Sequence, residues 1–343
     1  MVDFLSERTP RHYLLIPVMP TPNGRLHLGH VAGPFLKMDI LARHLRRGGD
    51  NAWLISGTDP HDSFVLLKAH QTNQTPEQTA NHFHDLIFND LRSLDILPDA
   101  FINPLQPEWS ERYTLLSIDT VNSLIKKGVT EIRRERFLYC PASDRYIVGC
   151  WLIGRCPACG SDVCGYFCEE CNSHFRPEML EDSYSRLNEG ALEWREVRCL
   201  YLRLSATELL FSRMAAMGLP DEFQQIVRQH IATQGALIRL TQPGKWGVPW
   251  LVPNEPVPQV IFTYAVAIIS LWLVCGEAYG HLTGTGINAF SQSSKVTTIA
   301  SFGIDNALPF LLSGLGANLE LGTFNPPDYF LLNYFYYLEG AKF

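Results

Sequence analysis

Two histidines three residues apart are the first side chains in the sequence that could act on a phosphate. His27 and His30 belong to the run PTPNGRLHLGH, which joins an apolar stretch to a helical pattern. Residues at i and i+3 share one face of a helix, and the free N–H groups and dipole of the first turn favour a triphosphate. Imidazole donors there could stabilise charge on the α-phosphate during adenylyl transfer. Two surface histidines on an ordinary helix are the alternative.

A carboxylate follows the next apolar stretch. Asp59 lies in the run TDPHD, shortly after residues 52–56, which read as a buried strand. Open α/β sheets bind ligands at the carboxyl ends of their strands, so Asp59 could hold the ammonium group of a substrate. The alternative is an aspartate that caps the following helix.

Cysteines are concentrated in one part of the chain, where seven of the nine occur. Two CxxC pairs with eight residues between them are formed by Cys156 and Cys159 and by Cys168 and Cys171. This spacing indicates a tetrahedral four-cysteine zinc site, which is structural because four thiolates leave no open position. Cys140, Cys150 and Cys164 are left without an assigned role, and ordinary partly buried thiols are the simplest interpretation.

Strand and helix patterns alternate around these groups. Residues 12–18 read as a strand and 28–45 as a helix, and Thr75-Pro76 opens a further helix. Strands that alternate with helices predict a parallel sheet and therefore an α/β fold. Residues 260–265 read as another strand, followed by a helix and a turn-rich segment around Gly303.

The composition changes from about Arg133, and the α/β pattern returns near Gln234. We therefore predict three segments: residues 1–130 and 236–343 as the two halves of one catalytic domain, and 131–235 as an insertion carrying the zinc knuckle.

The net charge of −7 in 343 residues gives no overall attraction to polyanions, so a nucleic-acid contact would need a local patch. The N-terminus lacks the apolar region of a secretory signal, which predicts a cytoplasmic protein. The longest apolar run, residues 260–275, is shorter than a membrane-spanning helix, so no membrane association is predicted.

The run PTPNGRLHLGH resembles the HIGH signature of class I aminoacyl-tRNA synthetases, and the order of later landmarks is similar to the methionyl enzymes. These landmarks are the Asp59 motif, the cysteine knuckle, the run WGVP at 246–249, the run FGIDN around Gly303, and the lead-in to Lys342. The resemblance implies a Rossmann-type (HUP) parallel sheet with an inserted zinc-knuckle connective domain. It also implies a ligase that uses ATP with Mg²⁺ and carries structural Zn²⁺.

The resemblance assigns roles by position. His27 and His30 would contact the ATP phosphates, Asp59 would bind the α-amino group of the amino acid, and Lys342 would be the first lysine of the KMSKS-type loop. The implied ATP-binding residues are Asn23, Gly29, Gly303 and Asp305, of which Gly303 packs on adenine and Asp305 binds the ribose.

The implied amino-acid pocket departs from the methionyl pattern. Its candidate residues are Met19, Thr21, Tyr264, Ala267, Ile268 and Leu311. Thr21 replaces a tyrosine, Tyr264 a tryptophan and Ile268 a proline, and Asp62 stands where the family usually has glycine. Losing aromatic walls and hydroxyl donors reshapes a pocket, so we expect methionine not to be the preferred substrate.

These observations lead to one functional hypothesis and two alternatives. The hypothesis is activation of a non-methionine amino acid as its adenylate and transfer to a small non-tRNA acceptor such as a hydroxylamine or amine, as in hydrazine synthetases. The alternatives are the catalytic part of a methionine–tRNA ligase, and an inactive synthetase-like binding module. A further C-terminal domain would be an anticodon-binding bundle or a cupin.

Overall fold

A five-stranded parallel sheet forms the centre of the protein. The computed structural model describes residues 9–187, 190–339 and 341–342. The strands of the sheet are β1 (His12–Pro17), β2 (Asn51–Gly57), β3 (Ala100–Ile102), β14 (Thr297–Gly303) and β15 (Tyr329–Asn333). Their order is β15-β14-β1-β2-β3 and every neighbouring pair is parallel, which confirms the predicted α/β class.

Helices of the first half follow the strands closely. They are α1 (Leu28–His30), α2 (Leu36–Arg47), α3 (Ser63–Thr72), α4 (Pro76–Ser93) and α5 (Pro107–Lys126). The predicted helix at 28–45 is interrupted by a π-helical turn at Val31–Phe35, because Pro34 has no N–H to donate to the preceding turn. Thr75 caps α4 in a capping box with Gln78, as the sequence predicts.

The chain leaves the parallel sheet after Ile102 and returns to it at Thr297. The strands between these points are β4 (Thr130–Cys140), β5 (Arg145–Ile147), β6 (Leu152–Arg155), β7 (Asp162–Cys164), β8 (Glu181–Ser185), β9 (Glu193–Arg203), β10 (Leu237–Arg239), β11 (Thr241–Pro243), β12 (Pro249–Trp250) and β13 (Gln259–Ile261). They form three antiparallel sheets, in the orders β10-β9-β4-β5, β7-β6-β8 and β11-β13-β12. Strand β10 joins the insertion's sheet beyond residue 235, and the segment boundaries given above stay a prediction.

The remaining helices pack beside the sheet and the insertion. They are α6 (Thr207–Ala216), α7 (Asp221–Gln234), α8 (Ala267–Leu282) and α9 (Ala317–Leu321), with a π-helical segment at Leu308–Gly316, and β16 (Tyr337–Leu338) pairs with β17 (Ala341–Lys342). The strand expected at 260–265 ends at Ile261, since residues 262–265 form a turn. No helix in the described ranges is long and apolar enough to cross a bilayer.

A buried ion pair holds β4 and β10 together inside the insertion's sheet. Glu135 is 2% exposed, and its Oε2 accepts a hydrogen bond of 2.8 Å from Nε of Arg239. Tyr201 also donates to this carboxylate, and the Arg239 guanidinium lies 4.9 Å from the ring centre of Tyr166. Arg239 therefore joins the insertion's sheet to the aromatic lining beside it.

We expect Arg239→Met to lower the free energy of unfolding by about 3–5 kcal/mol, because it leaves the Glu135 charge buried without its partner. Urea unfolding followed by circular dichroism measures the change. The double variant E135Q/R239M removes the charge as well, so it should recover much of the loss. A double variant as unstable as R239M would contradict this explanation.

Candidate active site

One cavity of about 810 Å³ lies at the carboxyl edge of the parallel sheet and extends to the insertion. Residues at the ends of β1, β2, β14 and β15 reach it, as expected for ligand sites in open α/β sheets. Ten of the sequence-predicted site residues line it: Met19, Thr21, His27, Gly29, His30, Asp59, Tyr264, Ile268, Gly303 and Asp305. The cavity therefore brings together residues from both ends of the chain.

The two histidines of the HLGH run lie side by side. Their ring centres are 3.8 Å apart and the rings are stacked at 27°, which agrees with the shared helix face expected from their spacing. A Cβ on Gly29 would lie 2.9 Å from Cε1 of His27. A larger residue here would therefore displace the imidazole of His27 from its present position.

The segment before the histidines is anchored to α4 by one carboxylate. Asp90 accepts a hydrogen bond of 3.2 Å from the backbone N–H of Leu26 and one of 3.0 Å from Nε of Arg25. The Arg25 guanidinium lowers the pKa of Asp90, which keeps this carboxylate ionised. Asp90 thus fixes the entry to the histidine-bearing turn.

Asp59 is held on the cavity wall by two donors. Its Oδ2 accepts a hydrogen bond of 2.6 Å from the Thr263 hydroxyl, and its Oδ1 accepts one of 3.2 Å from the backbone N–H of His61. Burial raises the pKa of Asp59 to about 7, and the nearby Asp62 carboxylate adds to the rise. Burial also lowers the pKa of His61 to about 4, so this imidazole is neutral at pH 7.

The loop after Asp59 is supported by an aromatic residue of the WGVP run. The Trp246 indole donates a hydrogen bond of 2.8 Å to the carbonyl of Pro60, and its ring meets His61 edge to face at 5.6 Å. This contact joins the second-strand loop to the segment after β11.

Asp62, rather than Asp59, caps the helix that follows. Its Oδ1 accepts a hydrogen bond of 2.8 Å from the backbone N–H of Phe64 at the start of α3. The helix-capping role considered for Asp59 therefore belongs to its neighbour.

The other side of the cavity is formed where β14 and β15 end. Gly303 is so close to Asp305 that a Cβ there would lie 2.5 Å from Oδ1 of Asp305. The Asn333 amide lies beside both Gly33 and Gly303, at 3.0 and 3.1 Å from the Cβ that each would carry. Oδ1 of Asn333 is buried without a hydrogen-bond partner among the described residues.

Sequence reasoning missed Thr263 and Asn333. Their positions in the sequence could have indicated both, because Thr263 directly precedes Tyr264 and Asn333 ends a strand of the parallel sheet.

Three predicted residues, Asn23, Ala267 and Leu311, do not line the cavity. Ala267 and Leu311 face the core instead. Of Lys342 only the backbone is described, paired with Tyr337.

The four predicted metal ligands lie together in the insertion. The Sγ atoms of Cys156, Cys159, Cys168 and Cys171 all lie within 4.8 Å of one another. The Cys156–Cys171 and Cys159–Cys168 separations are 3.7 and 3.5 Å, close to the roughly 3.8 Å edge of a tetrahedron with Zn–S bonds of about 2.3 Å. These thiols fit a zinc ion, and Cys140, Cys150 and Cys164 are outside the cluster.

A family model described as tRNA synthetases class I (M) matches residues 13–286. The chain belongs to this family. The class I synthetase chain is 24% identical to the methionine–tRNA ligase of Methanococcus aeolicus over 333 residues, which cover 96% of this chain and 48% of that protein. It is 27% identical to that of Chlamydia abortus over 341 residues, which cover 97% of this chain and 60% of the relative. The chain thus spans about half to three fifths of the length of these relatives.

A solved structure gives the same fold. The class I synthetase chain matches Mycobacterium tuberculosis methionyl-tRNA synthetase bound by methionyl-adenylate with a TM-score of 0.66 and 17% identity, covering 95% of this chain and 58% of that one. The match to the family model confirms the predicted class I synthetase family. None of these relatives points to the hydrazine synthetase type that the pocket replacements suggested.

Proposed function

We propose that this chain activates an amino acid with ATP as an aminoacyl-adenylate. The observation that supports the proposal is the single cavity lined by the stacked histidines, the Gly303–Asp305 turn and the buried Asp59 carboxylate. Asp59 would bind the α-ammonium group, and Asp305 with Gly303 would hold the nucleoside. The substrate carboxylate would then attack the α-phosphorus and pyrophosphate would leave.

His27 and His30 would serve this step by donating hydrogen bonds to the α-phosphate as its charge increases. ATP would enter as its Mg²⁺ complex, in which the metal neutralises phosphate charge. The four-cysteine cluster lies in the insertion, so a zinc ion there would stabilise the fold and would take no part in the reaction.

The relatives favour tRNA as the acceptor over the small hydroxylamine or amine that the pocket suggested. Besides the buried Arg239, four basic side chains line the cavity: Arg133, Arg134, Arg176 and Lys245. A phosphate backbone would contact the chain through these side chains, although Asp162, Glu169 and Glu170 line the same cavity. Arg133, Arg134 and Arg176 each lie within 4 Å of a glutamate, which weakens this attraction.

ATP–pyrophosphate exchange across a panel of amino acids tests the activation step. Exchange that depends on one amino acid is the expected result, whereas ATP binding without exchange would favour the inactive binding module. Charging of bulk tRNA then tests the acceptor, with periodate-oxidised tRNA, which lacks the terminal diol, as control. Activation of an amino acid without charging of tRNA would favour a small-molecule acceptor instead.

Asn333 provides a separate test of the nucleotide site. We expect Asn333→Ala to raise KM for ATP about 3- to 10-fold with a smaller effect on kcat, since a lost neutral hydrogen bond costs about 0.5–1.5 kcal/mol. Exchange kinetics at varied ATP measure this change. Asn325→Ala, in the segment that leads into the same strand, is the matched control, and an unchanged KM in N333A would exclude Asn333 from the ATP site.

A further inference from the structure

Three polar side chains from distant parts of the chain meet on the cavity wall: Thr21, Asp62 and Tyr264, here termed the Asp62 cluster. Tyr264 donates its hydroxyl to Oδ2 of Asp62, and Thr21 lies close enough to this carboxyl to favour its ionised form. Asp62 is only 2% exposed, yet all three residues line the cavity. All three are positions at which the sequence departs from the methionyl pattern.

The Asp62 cluster places a second buried carboxyl group beside Asp59, and burial raises the pKa of both groups. None of the ion pairs within the described ranges involves either aspartate. The adjacent His61 is neutral, because burial holds its pKa near 4. Burying carboxylates without a cation is costly. The described basic side chains of the cavity form no ion pair with either aspartate, so a cation bound between them would stabilise their ionised forms.

A common α-amino acid brings only one ammonium group to this site. Asp59, oriented by Thr263, is suited to that group, and Asp62 is left with a fixed orientation and no cation. Apolar side chains of Ile268 and Leu271 line the same cavity and could pack against the methylene groups of a substrate side chain.

Building on the proposed function, we propose that the pocket selects an α-amino acid whose side chain carries a second cationic nitrogen, bound by Asp62. Tyr264 acts as a positioning residue, because its hydroxyl orients the carboxylate, and Thr21 supports the ionised form of Asp62. Ordinary helix capping does not account for the cluster, since the cap uses Oδ1 while Tyr264 engages Oδ2.

Asp62→Asn is the sharpest test, since asparagine caps a helix as well as aspartate does and the charge is lost. The assay is ATP–pyrophosphate exchange with lysine, ornithine, 2,4-diaminobutyrate, methionine, norleucine and glycine. We expect a diamino acid to give the highest kcat/KM, and D62N to lower that value about 100-fold while leaving norleucine little changed. Asp85→Asn, on the exposed face of α4, is the matched control.

Two exchange results would overturn the inference: methionine, norleucine or glycine as best substrate, or an equal loss for every amino acid in D62N. Calorimetric titration of the diamino acids without ATP separates this inference from the proposed function. Binding that is weakened in D62N would support the selection even if exchange failed. Absence of binding in the unaltered protein would overturn it.

Discussion

Asp59→Asn is expected to reduce amino-acid-dependent ATP–pyrophosphate exchange about 100- to 1,000-fold, because a buried charge-assisted contact to the α-ammonium group is lost. Asparagine keeps the shape of the side chain and can still accept a hydrogen bond from Thr263. Most of the loss should therefore appear in kcat/KM for the amino acid, with KM for ATP little changed.

Asp85→Asn, which alters an exposed carboxylate of α4, controls for a general change in charge. Normal exchange in D59N would remove Asp59 from the amino-acid site. A loss confined to KM for ATP would instead place Asp59 near the nucleotide.

The pH dependence of the same residue gives a second readout. Burial raises the pKa of Asp59 to about 7, so kcat/KM for the amino acid should rise with pH until about 7 and then level off. The free energy of unfolding should change with pH in the opposite direction. Between pH 4 and 7 the folded state retains a proton that the unfolded state has lost, so stability falls as pH rises through this range. Asp59→Asn removes this proton-linked loss of stability and should raise Tm above pH 7, in a variant whose exchange activity is strongly reduced.

Cys168→Ser is expected to release the metal and unfold the knuckle, because apparent binding energies for structural zinc are on the order of 10 kcal/mol. Cys156 and Cys168 are also part of the small apolar core of the insertion, so the loss would spread through that region. Mass spectrometry of the metal content should find one zinc per chain in the unaltered protein and none in C168S, with a lower Tm.

Cys164→Ser is the matched control, since Cys164 lies in the same region but outside the four-thiol cluster. It should retain its zinc. Zinc-free unaltered protein, or equal metal loss in both variants, would contradict a four-cysteine site.

Local sequence signals predicted the elements that depend on neighbouring residues. The stacked histidines follow from their i and i+3 spacing, and the cap of α4 follows from Thr75 and Pro76. The strand expected through residue 265 was too long, because Thr263 turns to donate to Asp59 and strand propensity gives way to that contact. Tertiary hydrogen bonding therefore set the end of β13.

The partners of Asp62 could not be read from the sequence. Thr21 and Tyr264 were predicted as pocket residues and Asp62 as an unusual residue in a loop, but no periodicity connects positions so far apart. Only the parallel arrangement of β1 and β2 and the turn after β13 bring them together. The same limit applies to Asn333, whose role depends on its contacts with Gly33 and Gly303.

The strand order has a consequence for synthesis on the ribosome. Strand β1 is central and pairs Pro17 with Ser301 of β14, which emerges roughly 15 to 60 seconds later at a translation rate of about 5–20 residues per second. Until then Leu14, Leu15 and Ile16 border an open strand edge, a template for wrong pairing. A nascent chain that stops before residue 297 would keep this edge exposed and open to pairing with another strand.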